Sequence, residues 1–506
     1  MRLFFDSLLV NAAAAVLILV ALLYYYATNT FNYWKVRGVP YLKPVPLFGN
    51  VQDMTLLRVS VAEGFQKLYK QFEGHKFAGV FQTRQPTLLI RDPELIRLVL
   101  VKDFSYFQSR GLPFNPKKDP LSAHLFNLDG ESWKNLRTKL SPTFSPSKMK
   151  MMFNLVVECA EELISYLAQP AEDGEEMEMR EVMSKFTTDV IGTCAFGLQF
   201  NSMKDPQSEF REMGRRVFRP AARPTIRRFI RLLLPACLYK YLNIRAVPEE
   251  ISNFFCSAVK QTVEYREKNN VRRADFMQML IELKNMNGSP TDTFEFTDSV
   301  LASQAFIFFL AGLETSSATM SFCLHELAVN PDIQERLRQE VVEVLSRHKE
   351  GLSYDAIDEM TYLDNVLSET LRKYPPSANL IRMVTKPYII PGTSVLVDKG
   401  VRVIIPVYAI HRDENYYPEP ERFDPDRFTA EARRSRHNYT FLPFGEGPRI
   451  CIGMRFGLLQ AKVGLALLLS RYRFSVCQRT SIPVVLNPKT VVTTAVDGTW
   501  LQVTPV

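Results

Sequence analysis

The chain has 506 residues and 58.1 kDa, with 46% hydrophobic and 23% charged residues, ordinary proportions for a globular protein with a sizeable core. Its seven cysteines are scattered, odd in number and without CxxC spacing, which argues against a disulfide framework and for a reducing compartment. A net charge of +8 favours acidic partners. With no zinc-finger spacing and no basic-aromatic module, an anionic membrane or an acidic protein fits that charge better than nucleic acid.

Residues 8 to 26 carry no charge, and 12 to 23 are continuously apolar. A bilayer core needs about 20 such residues in a helix, so this segment is long enough to span. Tyr24, Tyr25 and Tyr26 stand where an interfacial aromatic belt belongs, followed by Trp34, Lys35 and Arg37. The alternative is a cleaved signal peptide; the length of the run and the lack of a small-residue cleavage pattern before the tyrosines speak against it. Residues 1–28 therefore read as an uncleaved anchor. Lys35, Arg37 and Lys43 behind it outweigh Arg2, itself partly offset by Asp6, and place the body in the cytoplasm. Pro40, Pro44 and Pro46 then stiffen residues 29–50 into an extended connector.

Apolar periodicity predicts helices at 61–72, 93–101, 147–167, 182–194, 250–269, 274–285, 297–329 and 332–347. Short β-branched or alternating stretches predict strands at 87–90, 388–390, 394–397, 402–406 and 491–494. No Gly/Ser linker, repeat or low-complexity tract divides the body. The fold class is mainly α with small β-sheets, and residues 51–506 read as one catalytic domain. Between 211 and 241, Arg215, Arg216, Arg219, Arg223, Arg227, Arg228 and Arg231 alternate with apolar residues such as Phe218, Phe229 and Ile230. Such a stretch either dips into lipid headgroups or packs an amphipathic helix on the core.

Four short patterns carry chemistry. Trp133 and Arg137, four apart, share a helix face; read alone they are an aromatic–cation pair. Ala311-Gly312-Leu313-Glu314-Thr315-Ser316-Ser317 interrupts a long apolar helix. Gly312 removes bulk, and Thr315 can bond back to carbonyl 311 and bend the ladder. The notch makes room for a small molecule beside a carboxylate and a hydroxyl able to pass protons. By itself such a polar island is an ordinary packing feature. Glu369 and Arg372 form an i, i+3 pair of a kind common on surfaces, and Pro420-Glu421-Arg422-Phe423 adds another arginine. Last, Phe444-Gly445-Glu446-Gly447-Pro448-Arg449-Ile450-Cys451-Ile452-Gly453 precedes a helix-forming run from Met454. Its glycines let the backbone turn sharply and a flat ligand approach, Arg449 can pair with an acidic group, and a helix start favours anionic sulfur. A lone intracellular cysteine is often just a small buried hydrophobe. Here glycines, arginine and helix start agree on a metal-bound thiolate.

The pattern F-x-x-G-x-R-x-C-x-G, with every fixed position present, resembles the haem-binding loop of the cytochrome P450 haem-thiolate monooxygenases. The stretch 311–315 resembles that family's [A/G]-G-x-[D/E]-T, and 369–372 with 420–423 resembles its E-x-x-R and P-E-R-F. The pair Trp133 and Arg137 matches its W-x-x-x-R. The resemblance implies a cytochrome P450 fold preceded by an N-terminal transmembrane helix, with haem b (iron protoporphyrin IX) bound through Cys451. It implies that Arg137, Arg382 and Arg449 neutralise the haem propionates, with Trp133 assisting. Thr315 would deliver protons to bound oxygen with support from Glu314, while Glu369, Arg372 and Arg422 would hold the core around the cysteine loop. Residues 34–40, 107–111 and 148–153 look like microsomal enzymes of the insect detoxification branch.

No dinucleotide fingerprint follows a strand, so electrons must come from elsewhere. The resemblance implies NADPH–cytochrome P450 reductase, whose flavins carry the electrons, with cytochrome b5 as helper. Arg433, Arg434, Arg436, Lys134, Lys139, Lys148 and Lys150 form either a docking face for an acidic donor or a solvated surface. The expectation is an endoplasmic reticulum enzyme that inserts one oxygen atom from O2 into lipophilic substrates such as plant toxins, insecticides, terpenoids or fatty acids. By analogy, 104–128, the basic loop near 220, Phe308, Phe309, 377–379 and 493–499 line its pocket. Two competitors are a haem-thiolate hydroperoxide isomerase or dehydratase, which needs no Glu314–Thr315 relay, and a non-enzymatic haem sensor.

Overall fold

The computed structural model describes residues 2–112, 115–116, 118–205, 208–218, 245, 247–286, 296–348 and 351–506. Most of the basic stretch, 219–241, lies outside them. The described strands are β1 (Phe77–Gln82), β2 (Gln85–Ile90), β3 (Glu176–Glu178), β4 (Leu380–Met383), β5 (Tyr388–Ile389), β6 (Leu396–Val397), β7 (Arg402–Ile405), β8 (Tyr472–Ser475) and β9 (Trp500–Pro505). The described residues divide into two units, one of those within 2–111 and 380–406, the other of those within 112–218, 245–379 and 407–506.

The first unit begins with helix α1 (Arg2–Thr28). Its stretch Leu9–Thr28 has a mean hydropathy of 2.1, and apolar side chains from Leu9 to Tyr25 are exposed all round. A helix so exposed in water would be costly, and it calls for an apolar surrounding. The end of α1 is fixed to the turn between β1 and β2. Arg84 donates to the Asn29 side chain (3.0 Å) and stacks on Tyr26 at 3.8 Å, and the Thr30 hydroxyl donates to the Arg84 carbonyl (2.5 Å). Trp34 is fully buried and donates to the Val80 carbonyl at 3.1 Å. The proline-rich segment thus lies against β1, where Gly79 N–H donates to the Pro40 carbonyl at 2.7 Å.

Helix α2 (Val61–Gln71) starts at a capping box: Ser60 accepts from Glu63 N–H, and the Glu63 carboxylate accepts from Ser60 N–H. Phe65 and Leu68 of α2 pack with Met54, Val80, Leu89 and Ile404 in the core of this unit. Its main sheet has the order β1-β2-β7-β4, parallel only between β2 and β7.

The second unit is helical. Its elements include α3 (Gly130–Leu140), α4 (Met179–Ile191), α5 (Glu249–Asn269), α6 (Asp298–Val329), α7 (Thr361–Lys373) and α8 (Met454–Arg471). Helix α6 runs through the centre, capped by Thr297, which accepts from Val300 N–H, and α4, α5 and α8 pack on it. Phe196, Phe255, Phe306 and Phe309 pack ring to ring between α5 and α6. Phe309, expected at the pocket, is therefore core.

Every predicted helix is present within a few residues. The predicted strand 491–494 is not: Thr493 bonds the carbonyls of Pro375 and Pro376. Pro375 and Pro376 have no N–H to return, and on the other side pairing amounts to an isolated antiparallel bridge of Leu486 with Ala495, where Asn487 N–H donates to the Thr494 carbonyl at 2.8 Å. Strands β1, β3, β4, β8 and β9 were not predicted.

Gly197 holds φ +67° against the buried Arg266–Asp275 pair, bonded at 2.8 and 2.6 Å. An added Cβ would run into both charged groups. Gly197→Ala is expected to destabilise the protein by about 3 kcal/mol or more. Gly174→Ala, at φ +64° with only Gln502 at 3.6 Å, should cost about 1 kcal/mol. Thermal midpoints of the two variants check the difference.

Candidate active site

Gly445 and Gly447 adopt φ of +72° and +74°, a region glycine enters without strain. The loop then closes on itself: Gly445 N–H donates to Leu442 (3.1 Å), Ile450 N–H to Gly447 (2.9 Å) and Cys451 N–H to Phe444 (2.9 Å). Cys451 emerges two residues before Gly453, the N-cap of α8. It is the one exposed cysteine among the described residues. Burial pushes the Cys159 and Cys323 thiols up to about 12, which leaves them protonated and inert.

Arg449 leaves the same turn with its side chain fully buried. Its Nη2 donates to the Leu128 carbonyl (2.7 Å) and the Asp129 carboxylate (3.0 Å), and the guanidinium stacks 4.4 Å from the Trp133 ring. Nε and Nη1 have no partner among the described residues. Burial lowers this cation to about 10; Arg137 acts in the same direction, and Asp129 opposes both. Burial also lowers Arg137, opposed by the sulfur of Cys451. Trp133, Arg137, Arg449 and Cys451 thus share one neighbourhood. Unused N–H groups on a buried cation are unfavourable unless an acidic ligand takes them. This donor set fits a flat group with an acidic edge and a metal for the thiol. Arg382 belongs to the first unit, buried on β4, where its Nη1 donates to the Ile381 carbonyl at 2.9 Å.

Between Leu301 and Ala328 helix α6 is buried except along one stretch, where Ala311 is exposed and Ile307, Phe308, Leu310, Gly312 and Thr315 are half-buried. Thr315 Oγ1 donates to the Ala311 carbonyl at 2.6 Å, the bond expected from its position. Gly312 also serves packing, because a Cβ there would meet Ile191 of α4. Gln460 of α8 donates to Ser316 Oγ and reaches the Gly312 carbonyl at 3.4 Å. Glu314 is not among these open residues. Its carboxylate is bound by Arg180 of α4 at 2.7 Å, a partner 134 residues away.

Glu369 and Arg372 of α7 are fully buried, not surface residues, and bond through two N–H···O contacts of 2.7 and 2.8 Å. The expected third member is corrected. The Arg422 side chain is 65% exposed and pairs with Glu419, while its backbone carbonyl accepts from Arg372. The second cation beside Glu369 is Arg427, at 3.6 Å. Of the basic surface residues, Lys134, Lys150, Arg433 and Arg434 are exposed, Lys150 pairing with Asp355 at 3.3 Å. Arg436 is instead held over the Tyr417 and Phe428 rings.

His411, fully buried, accepts from Leu442 N–H at Nε2 (2.9 Å) and faces the Arg372 carbonyl at Nδ1 (3.1 Å). Burial first, then the Arg372 charge, lower it from 6.5 to about 3. Below pH 6.5 the unfolded chain takes up a proton that the native state refuses, so stability falls as pH falls. His411 alone is expected to cost about 1.4 kcal/mol per pH unit between 6.5 and 3. Denaturation midpoints of wild type and His411→Gln at pH 7 and pH 5 should show the variant losing about 2 kcal/mol less.

An exposed thiol on a glycine-built turn before a helix, a buried arginine with donors unpartnered among the described residues and a notched central helix together fit a haem-thiolate enzyme. A sequence model of the Cytochrome P450 family matches residues 39–501, and the chain belongs to that family. It is a cytochrome P450 monooxygenase, and the family implies haem. The chain is 45% identical to the "Probable cytochrome P450 6a14" of Drosophila melanogaster, covering 94% of this chain and 95% of that protein. It is 44% identical to cytochrome P450 6a2 of Drosophila melanogaster (94% and 95% covered) and to cytochrome P450 6A1 of Musca domestica (94% of each).

Proposed function

We propose that this enzyme inserts one oxygen atom of O2 into lipophilic compounds, either xenobiotics such as plant toxins and insecticides or endogenous lipids. Electrons come from NADPH through a flavoprotein reductase, with cytochrome b5 as an additional donor. Residues 1–28 anchor it in the endoplasmic reticulum membrane, 29–50 connect, and the catalytic domain 51–506 faces the cytoplasm. The exposed apolar surface of α1 supports the anchor.

Cys451 is the iron ligand. Arg449 and Arg137 hold the propionates, Trp133 orients Arg449 by stacking, and Arg382 is the third cation. When bound, the haem supplies activation of dioxygen and transfer of one oxygen atom to substrate. Thr315 holds a proton at Oγ1 on the open stretch of α6, and breaking its bond to Ala311 frees that hydroxyl to donate. Glu314, tied to Arg180, acts behind Thr315 and can exchange protons with it only when that ion pair opens.

The observation that carries this reading is the buried Arg449 with two nitrogens, Nε and Nη1, unpartnered among the described residues, next but one in sequence to the exposed Cys451. The test combines purified full-length protein, reductase, NADPH and a panel of lipophilic compounds. A thiolate-type band in the reduced, carbon monoxide-treated protein is expected, with product that requires both NADPH and reductase. Thr315→Val should keep the band while product per NADPH falls about 100-fold. No band in the wild type, or turnover of a hydroperoxide with neither NADPH nor reductase, would overturn it.

A further inference from the structure

His411 is buried, neutral and unused by the roles above. It lies just beyond the short helix Val407–Ile410, far in sequence from both segments it joins. Its Nε2 accepts from Leu442 N–H, so the ring proton must sit on Nδ1, from which it is donated to the Arg372 carbonyl. Arg372 returns a bond, Nη1 donating to the His411 carbonyl at 3.0 Å. The imidazole also stacks on Phe441, with ring centres 5.5 Å apart and planes at 25°. Leu442 opens the cysteine loop. Its carbonyl accepts Gly445 N–H at 3.1 Å, and two residues on, the Phe444 carbonyl accepts Cys451 N–H at 2.9 Å. A continuous set of bonds therefore runs from Glu369 through Arg372 and His411 to the backbone that carries the thiol.

We propose that His411 is the positioning residue of the cysteine loop, holding Leu442 so that Cys451 keeps the attitude in which its sulfur stays bound to iron. The inference rests on Cys451 being the haem ligand. A ring depressed to about 3 remains neutral in every cellular compartment, so Nε2 remains an acceptor. Without it the Leu442 N–H, enclosed by Phe441 and the loop, has no water to turn to. The loop can then relax only by letting the thiolate move.

Full-length, haem-loaded wild type, His411→Phe and His411→Gln would be compared. The phenylalanine keeps the ring and removes both bonds; the glutamine amide can restore a donor and an acceptor. His411→Phe is expected to lose the thiolate-type carbon monoxide band about tenfold faster than wild type, and His411→Gln to stay within about twofold. The same samples are followed for global unfolding by circular dichroism. Band loss in His411→Phe at the wild-type rate, or accelerated only as much as unfolding, would overturn the proposal. If His411→Phe does not accumulate, hydrogen exchange at the Leu442 amide decides. Protection in wild type and His411→Gln supports the role, and exchange as fast as an exposed loop amide overturns it. A wild type with no such band would instead overturn the haem-thiolate reading itself.

Discussion

Glu369→Leu is expected to destabilise the protein by about 3–5 kcal/mol, enough to leave little folded, haem-competent material. Arg372 would remain fully buried with its charge facing a hydrocarbon, and guanidinium cannot escape by losing its proton. The Asp424 N–H that donates to Glu369 at 2.9 Å would lose its acceptor as well. Arg422→Ala should change stability by no more than about 0.5 kcal/mol, because that side chain is mostly exposed and only its main chain touches Arg372. Arg427→Ala should fall between them. Urea midpoints for the three variants check the order, and a large effect at Arg422 would restore the sequence-based assignment.

Arg449→Leu has opposite expected effects on two states of the protein. In the haem-free form the substitution removes a buried cation with two unmet donors, while Asp129, partly exposed, can turn to water. Stability there should stay level or rise by about 1 kcal/mol. In the loaded form the same change deletes charge-assisted bonds to an acidic edge, each worth about 1.5–3 kcal/mol, so haem affinity should fall about 100-fold. Calorimetry of haem-free protein and haem transfer to a competing acceptor measure the two effects separately. A parallel loss in both states would mean that Arg449 is only a packing element of the Leu128–Trp133 region.

What the sequence conveys well is whatever depends on near neighbours. Gly445, Gly447 and Cys451 lie within seven residues, and turn, cap and thiol follow from local backbone rules. Thr315 bonding to carbonyl 311 is likewise an i, i−4 contact and is found where expected. Partners distant in sequence left no trace. Arg180 reaches Glu314 across 134 residues, His411 joins α7 to the cysteine loop, and Arg427 replaces Arg422 beside Glu369. Each depends on packing that no periodicity encodes. The strands fail for a related reason. Strand β1, FAGVFQ, is buried almost throughout, so it lacks the alternation that marks a half-exposed strand, and β3 has only three residues. Residues 491–494 had the right β-branched composition, but pairing beside them stops at an isolated bridge of Leu486 with Ala495, next to the Thr494 carbonyl that accepts Asn487 N–H.

The fixing of α1 to the β1–β2 turn bears on mechanics in a bilayer. Helices adjust to hydrocarbon thickness chiefly by leaning. With Tyr26, Asn29 and Thr30 pinned on Arg84, and Trp34 sunk beneath Gly79, there is no swivel to absorb that lean. In the membrane placement proposed above, the helix would work as a lever, and lipid chain length would become a handle on the orientation of the β1-β2-β7-β4 sheet.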